Sequence, residues 1–138
     1  MQVEDRKLRI AGWVMSGLVI AFMLLDATMK LLALPVVLEA GSALGLPGAD
    51  MARGLGILLL ACTVLYAAPR TSVLGAVLAT GYLGGAVATH LRIGTPLFTH
   101  ILFGVYVGAL MWAGLYLRYP DVRRFIPLRL SYQETALK

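Results

Sequence analysis

Charged residues and cysteine are both scarce in this chain of 138 residues. Only 14% of its residues are charged and 59% are hydrophobic, whereas a soluble domain carries about 25% charged residues. The single cysteine, Cys62, excludes an intramolecular disulfide and is expected to be a small core residue. The sequence also lacks a CxxC pair, a phosphate-binding Gly-rich loop, a nucleophile elbow and an HExxH helix. The missing CxxC argues against a thiol redox protein that uses quinone to oxidise disulfides.

Long apolar runs make up most of the chain. Four of them come near the roughly 20 residues that a membrane-spanning helix needs. They cover residues 10–34, 51–68, 72–89 and 97–117. We therefore predict an all-α membrane protein, a single domain folded as an antiparallel bundle of four transmembrane helices. The first run is too long for the apolar region of a signal peptide and contains two charges, so we expect it to be a retained helix.

The basic residues predict an orientation in the membrane. Only three of the twelve Lys and Arg residues, Lys30, Arg53 and Arg92, fall on the outer side if the N-terminus is cytoplasmic. Both termini are therefore expected in the cytoplasm, with residues 118–138 as a basic tail on the inner leaflet. Residues 35–50, which are apolar for a loop, are expected to form an interfacial or re-entrant element outside. The net charge of +5 is not patterned with aromatic residues on a polar face, which argues against nucleic acid.

Ionisable residues within the apolar runs are expected to gather in the outer half of the bundle. Each costs about 2.5–3.5 kcal/mol to insert, and such residues usually face the bundle interior. Asp26 and Lys30 are four residues apart and share a helix face. They form either an internal clamp or part of a site that handles a ligand or protons. The inner half is expected to be almost purely apolar.

We divide the candidate site residues by chemistry. The candidate catalytic residues are Asp26, Lys30, His90 and His100. The candidate ligand-binding residues are Glu39, Tyr82, Arg92 and Tyr106. A metal site made of both histidines and a carboxylate has no tight ligand spacing to support it, so we predict no metal. Histidine titrates near neutral pH and favours a proton relay or a hydrogen bond to a ligand carbonyl.

Two GxxxG pairs predict close helix packing, because small residues let helix backbones approach. The pairs are Gly81 with Gly85 and Gly104 with Gly108. We expect the third and fourth helices to pack together through them, and the alternative is a homodimer through one glycine face. His100 shares its helical face with the second pair and is expected in the packed interface, while His90 is expected to face another part of the cavity or the lipid headgroups.

Three stretches of this sequence resemble the DoxX-like family of small bacterial membrane proteins. They are "DATMKLL", "LGLP" and "LGAVLATGYLGGAVATHLRIGTPLFTHILFGVYVGALMWAGLYLR", and the resemblance covers about residues 15 to 118. It implies a four-helix transmembrane bundle in the bacterial inner membrane. The family is named for a subunit associated with a thiosulfate:quinone oxidoreductase, and relatives are linked to membrane redox complexes. Lys30 carries a recurrent lysine of the family, and Gly84, His90 and Leu91 carry its "GxxxxxHL" pattern.

One departure from the family pattern lies in the second helix. Many relatives have a glutamate there in a "GxxE" context, whereas "RGLGILLLACTV" supplies only leucines and alanine. A site built around that glutamate would be incomplete here.

The leading functional hypothesis is binding of a lipophilic small molecule, quinone-like, in a polar pocket of the outer half. The sequence encodes no redox centre, so electrons would come from a bound cofactor or from a redox partner subunit. One alternative is a stand-alone acid–base enzyme, isomerase-like, acting on a lipophilic substrate. Another is a non-enzymatic assembly or chaperone subunit that uses its glycine faces. A transport path is disfavoured, because an apolar inner half offers no polar continuation.

Overall fold

The computed structural model describes the backbone of residues 2–125 and the side chains of residues 5–124. Over this range the chain is almost entirely helical and contains no strand. The elements are α1 (Gln2–Leu31), α2 (Pro35–Ala43), α3 (Ala49–Ala67), α4 (Ser72–Ile93), a π-helical turn (Leu97–Ile101), α5 (Phe103–Arg118) and α6 (Pro120–Phe125).

Four helical segments are long and apolar enough to cross a membrane. They are Asp5–Leu31, Ala49–Ala67, Ser72–Ile93 and Leu97–Arg118. The all-α, four-span architecture is thereby confirmed, while the cytoplasmic location of the termini stays a prediction. We call the end of the bundle where α1 begins and α5 stops the termini end. The opposite end, which carries α2, is the α2 end.

The helices begin and end at positions set by local backbone chemistry rather than at the ends of the apolar runs. α1 begins at Gln2 rather than near residue 10, and it stops at Leu31, just before Ala33 takes a positive φ of 48°. Pro35 then opens α2 at a first-turn position, where a missing N–H costs nothing. α4 continues past residue 89 to Ile93 and is ended by Gly94 in the left-handed conformation.

The four spans pack as a ring in which each contacts two neighbours. α1 packs between α3 and α5, and α4 closes the ring against both. The core runs along the bundle axis through side chains that are fully or almost fully buried. Its largest members are Met23, Leu59, Tyr66, Met111 and Leu115.

Glycines bring the helices close together at the termini end. A Cβ on Gly12 of α1 would lie 2.9 Å from the carbonyl oxygen of Gly114 on α5. A Cβ on Gly75 of α4 would overlap the backbone of Tyr66 on α3. In lipid the apolar faces gain little from association alone, so close packing of this kind stabilises the bundle.

A buried hydroxyl network joins three of the helices. The Tyr66 hydroxyl donates to the carbonyl oxygen of Met111 at 3.0 Å and lies 2.9 Å from the Ser16 hydroxyl. A separate bond joins α5 to α4, in which Trp112 Nε1 donates to the Thr80 hydroxyl at 2.9 Å. These bonds satisfy polar groups for which a bilayer offers no other partner.

The two GxxxG pairs have different surroundings. Gly104 and Gly108 of α5 face α4, where a Cβ on Gly104 would lie 3.0 Å from Val87 Cγ2. Nothing lies within 4 Å of a Cβ on Gly81 or Gly85. The predicted α4–α5 contact is therefore correct for the α5 pair and wrong for the α4 pair, because α4 presents Leu83 and Val87 instead. Homodimerisation through the outward pair stays a prediction.

Glycine-to-alanine substitutions at two positions of α4 test this packing. Gly75→Ala is expected to lower the free energy of unfolding by about 1–3 kcal/mol, because its Cβ must displace backbone of α3. Gly81→Ala is the matched control and is expected to be neutral, since its Cβ enters open space. Thermal unfolding in one detergent measures both, and equal losses would contradict the α3–α4 contact.

Candidate functional site

Asp26 and Lys30 form an ion pair on α1 near the α2 end. Lys30 Nζ donates to Asp26 Oδ1, and the two side chains are 30% (Asp26) and 19% (Lys30) exposed. The side chain of Lys30 packs beside Gly56 of α3, where a Cβ would lie 3.0 Å from Lys30 Cβ. Ala27, the residue after Asp26, is fully buried. The pair therefore lies at the seam of α1 and α3, among apolar neighbours but not sealed from the surface.

Tyr82 of α4 is a candidate ligand-binding residue that packs against the buried core, and no described hydrogen bond joins it to the ion pair. The lysine ammonium and the carboxylate of the pair together can donate to and accept from one ligand. Their combined formal charge is zero, which suits an uncharged ligand better than an ion.

His90 and His100 form a second cluster where α4 ends and the π-helical turn begins. Their ring centroids are 5.7 Å apart, with the ring planes inclined by 56°. His90 Nδ1 lies 3.1 Å from the Thr95 hydroxyl, and His100 Nδ1 lies 2.8 Å from the Thr99 hydroxyl. Each Nδ1 is thus engaged locally, which leaves Nε2 as the nitrogen that each ring can offer to a ligand.

The position of His100 corrects one expectation. It was predicted to lie in the packed interface with Gly104 and Gly108, but its side chain is exposed. The reason is the π-helical turn, in which Leu102 N–H bonds to the carbonyl oxygen of Leu97 at 2.9 Å, five residues back. A bond to the carbonyl five residues back, rather than four, turns the neighbouring side chains away from the directions they would have in a regular α-helix. The same rotation brings His100 beside His90, which the helical wheel had placed apart.

Three other candidate residues make no described hydrogen bond or ion pair with either cluster. Glu39 is exposed on α2, and Tyr106 is 51% exposed on the outer face of α5. Arg92 Nη2 donates to the carbonyl oxygen of Leu44 at 2.9 Å and so ties the end of α4 to the loop after α2. The structure does not assemble these three with Asp26 into one pocket, and their roles in ligand binding stay predictions.

The ion pair and the histidine pair are separate sites within residues 5–124. No hydrogen bond or ion pair of the described side chains joins one to the other. The described residues also contain no group of three His, Cys, Asp or Glu side chains arranged to hold a metal ion. The chemistry that this end can offer is therefore hydrogen bonding and proton exchange at two points.

The termini end holds a buried arginine that hydropathy did not reveal. Arg118 was assigned to the start of the tail, yet it is the last residue of α5 and only 3% exposed. Ser16, Thr63 and Ser72 are also buried. The expectation that this half is almost purely apolar is therefore wrong. The available signal was the aromatic setting of the arginine in "LYLRYP", since aromatic faces bind guanidinium groups.

Comparison with known proteins identifies a family but no characterised relative. The profile of the DoxX-like family matches residues 14–114, which is more than half of the chain. No curated protein and no solved structure matches it.

A double-mutant cycle tests whether the ion pair stabilises the bundle. Asp26→Leu is expected to lower the free energy of unfolding by about 1–3 kcal/mol, because it leaves the Lys30 ammonium without its charged acceptor. Replacing both residues by leucine is expected to restore most of that loss, since no unpaired charge remains. Thermal unfolding of the two single leucine variants and the double variant measures the coupling. Additive losses would show that the pair contributes nothing.

Proposed function

We propose, for a chain that belongs to the DoxX-like family, that this multi-pass membrane protein binds a quinone-like lipophile at the α2 end of its bundle. The observation that carries the proposal is the half-buried Asp26–Lys30 pair. A pair alone seldom recovers the desolvation cost of both charges. An ion pair within one helix does not join two helices, so helix packing alone does not explain why two charges are placed there. Binding of a ligand by the two charged groups would explain their position.

The exposure of the pair fits a ligand that arrives from the bilayer. Lys30 and Asp26 are 19% and 30% exposed, so the pair is open at its edge. Around it the surface is apolar: Leu24 and Leu25 of α1 and Leu32, which follows α1, are all exposed. Lys30 would donate to a carbonyl oxygen, and Asp26 would accept from the hydroxyl of the reduced form. This arrangement takes a small apolar molecule with polar oxygen atoms, which is the chemistry of a quinone.

The histidine pair supplies a second point of hydrogen bonding at the same end. A quinone has two carbonyl oxygens, and the Nε2 atoms of His90 and His100 can each donate or accept a hydrogen bond. The described residues contain no thiol pair or metal cluster that could carry electrons. The proposed role is therefore to hold the lipophile for a redox partner subunit. The proposed location is a bacterial inner membrane with both termini in the cytoplasm.

Binding of a short-chain ubiquinone analogue tests the proposal. The purified protein in mild detergent is titrated by isothermal calorimetry, and lipids extracted from the same preparation are identified by mass spectrometry. Lys30→Met is expected to weaken binding about tenfold or more, since a hydrogen bond to a charged group contributes about 1.5–3 kcal/mol. Thr28→Ala is the matched control, because Thr28 lies on the same helix, is exposed and bonds only to the Leu24 carbonyl oxygen.

Two results would contradict the proposal. One is binding that is equally tight in the wild type, Lys30→Met and Thr28→Ala, accompanied by lower thermal stability of Lys30→Met alone, because the pair would then be a structural clamp. The other is repeated absence of any co-purified lipophile and of any saturable binding heat.

A further inference from the structure

The termini end contains a cavity of about 620 Å³ between the start of α1 and the end of α5. Its volume lies within the range of small-molecule pockets, about 300–1,000 Å³. The cavity lies opposite the α2 end, so what it binds is independent of the function proposed above. Its walls are formed by Asp5, Arg6, Arg9, Leu117, Arg118, Pro120 and Arg123.

The charge of this wall is strongly unbalanced. Four of the lining residues are arginines, against one aspartate. Among the described side chains the ion pairs are Asp26–Lys30, Asp50–Arg53 and Asp121–Arg124, so none of them neutralises a wall arginine. A concave surface of one sign attracts counter-ions of the other sign. The cavity therefore favours an anion.

Arg118 is the most unusual member of this wall. Its Nε, Nη1 and Nη2 atoms are buried and have no hydrogen-bond partner among the described residues. Its guanidinium carbon lies 4.4 Å from the ring centroid of Trp13, 5.1 Å from that of Tyr119 and 5.5 Å from that of Tyr66. These rings stabilise the positive charge, and neither the Tyr66 nor the Tyr119 hydroxyl makes a hydrogen bond to the five N–H groups of Arg118 in the described structure.

Aromatic and backbone contacts hold two of the four arginines in place. Trp13, Tyr66 and Tyr119 surround Arg118, whereas Arg123 donates to the carbonyl oxygens of Tyr116 and Leu117 at 2.8 and 3.2 Å. Arg6 and Arg9 are exposed and three residues apart on α1, so they share a helix face at the entrance. Fixed arginine forks suit the bidentate binding of phosphate, and they lose little entropy on binding.

We propose that this cavity binds the phosphate group of an organic molecule, with Arg118 at its inner wall and Arg6 and Arg9 at its entrance. The phosphate oxygens would supply acceptors that Arg118 lacks among the described residues. The volume exceeds what a phosphate group alone needs, so the rest of the molecule also lies in the cavity. Two sources share this chemistry at a membrane surface, namely an anionic lipid headgroup and a soluble phosphate ester.

Phosphate binding to the full-length protein tests the proposal. Inorganic phosphate and glycerol 3-phosphate are titrated into protein in phosphatidylcholine nanodiscs, and Trp13, which contacts Arg118, reports binding by its fluorescence. A parallel arm compares nanodiscs with and without phosphatidic acid. Saturable binding of the soluble probes supports a soluble ester. A change seen only with phosphatidic acid supports a headgroup site.

Arginine variants assign the binding to this cavity. Arg9→Gln is expected to weaken binding about tenfold or more, because one charge-assisted contact is lost. Arg53→Gln is the matched control, since it removes the same charge from an exposed position at the α2 end. Arg118→Lys keeps the positive charge but removes the planar guanidinium group that can donate two parallel hydrogen bonds, so it is expected to weaken binding as well.

Four results would overturn the proposal. The first is no saturable response to any of the three phosphate probes. The second is an equal loss of affinity in Arg53→Gln and Arg9→Gln, which would indicate non-specific attraction by net charge. The third is competition by malonate as strong as that by phosphate, which would exclude a phosphate site. The fourth is an Arg118→Lys variant of lower thermal stability but unchanged affinity, which would make Arg118 a packing residue.

Discussion

Close approach of helix backbones is the constraint on which the rest of this bundle depends. Helices in lipid gain little from burying apolar faces, so their association rests on packing and on hydrogen bonds between them. Gly12, Gly56 and Gly75 provide contacts at which a side chain would collide with the neighbouring helix. Where the backbones meet, the Tyr66 hydroxyl reaches both Ser16 and the Met111 carbonyl oxygen. A Cβ on Gly114 would overlap Ser16 Oγ, so the glycine at this α1–α5 contact makes room for one hydroxyl of the network.

Buried charge is stabilised in different ways at the two ends of the bundle. At the α2 end, Asp26 and Lys30 neutralise each other within one helix and stay partly open. At the termini end, Arg118 is almost fully buried and is surrounded by aromatic rings rather than by a carboxylate. A paired site remains neutral and suits an uncharged ligand, whereas an unbalanced basic site suits an anion. The α2 end is therefore proposed to bind an uncharged lipophile, and the termini end, at the other membrane surface, is proposed to bind an anion.

Hydropathy predicts the number of spans because bilayer thickness and backbone hydrogen bonding leave few other solutions. The Asp26–Lys30 contact is also predictable, since residues four apart on a helix are neighbours. The pairing of His90 with His100 is not, because it depends on a π-helical turn that no composition rule reveals. Burial of Arg118 could not be predicted for a different reason. A basic residue at the end of an apolar run normally marks the interface, and only the packing of α1 across α5 covers it.

That covering links the packing of the fold to the chemistry of its termini end. A Cβ on Gly12 would lie 2.9 Å from both Arg118 Cγ and Leu117 Cβ. The glycine that lets α1 approach α5 is therefore also the residue that makes room for the stem of the arginine. Trp13, the next residue, lies over its guanidinium. Because the helix contact and the arginine cage use the same turn of α1, a change in how α1 packs on α5 must also change how Arg118 is presented to the cavity. For the phosphate site proposed above, binding in the cavity would therefore be coupled to the α1–α5 packing through a single helical turn.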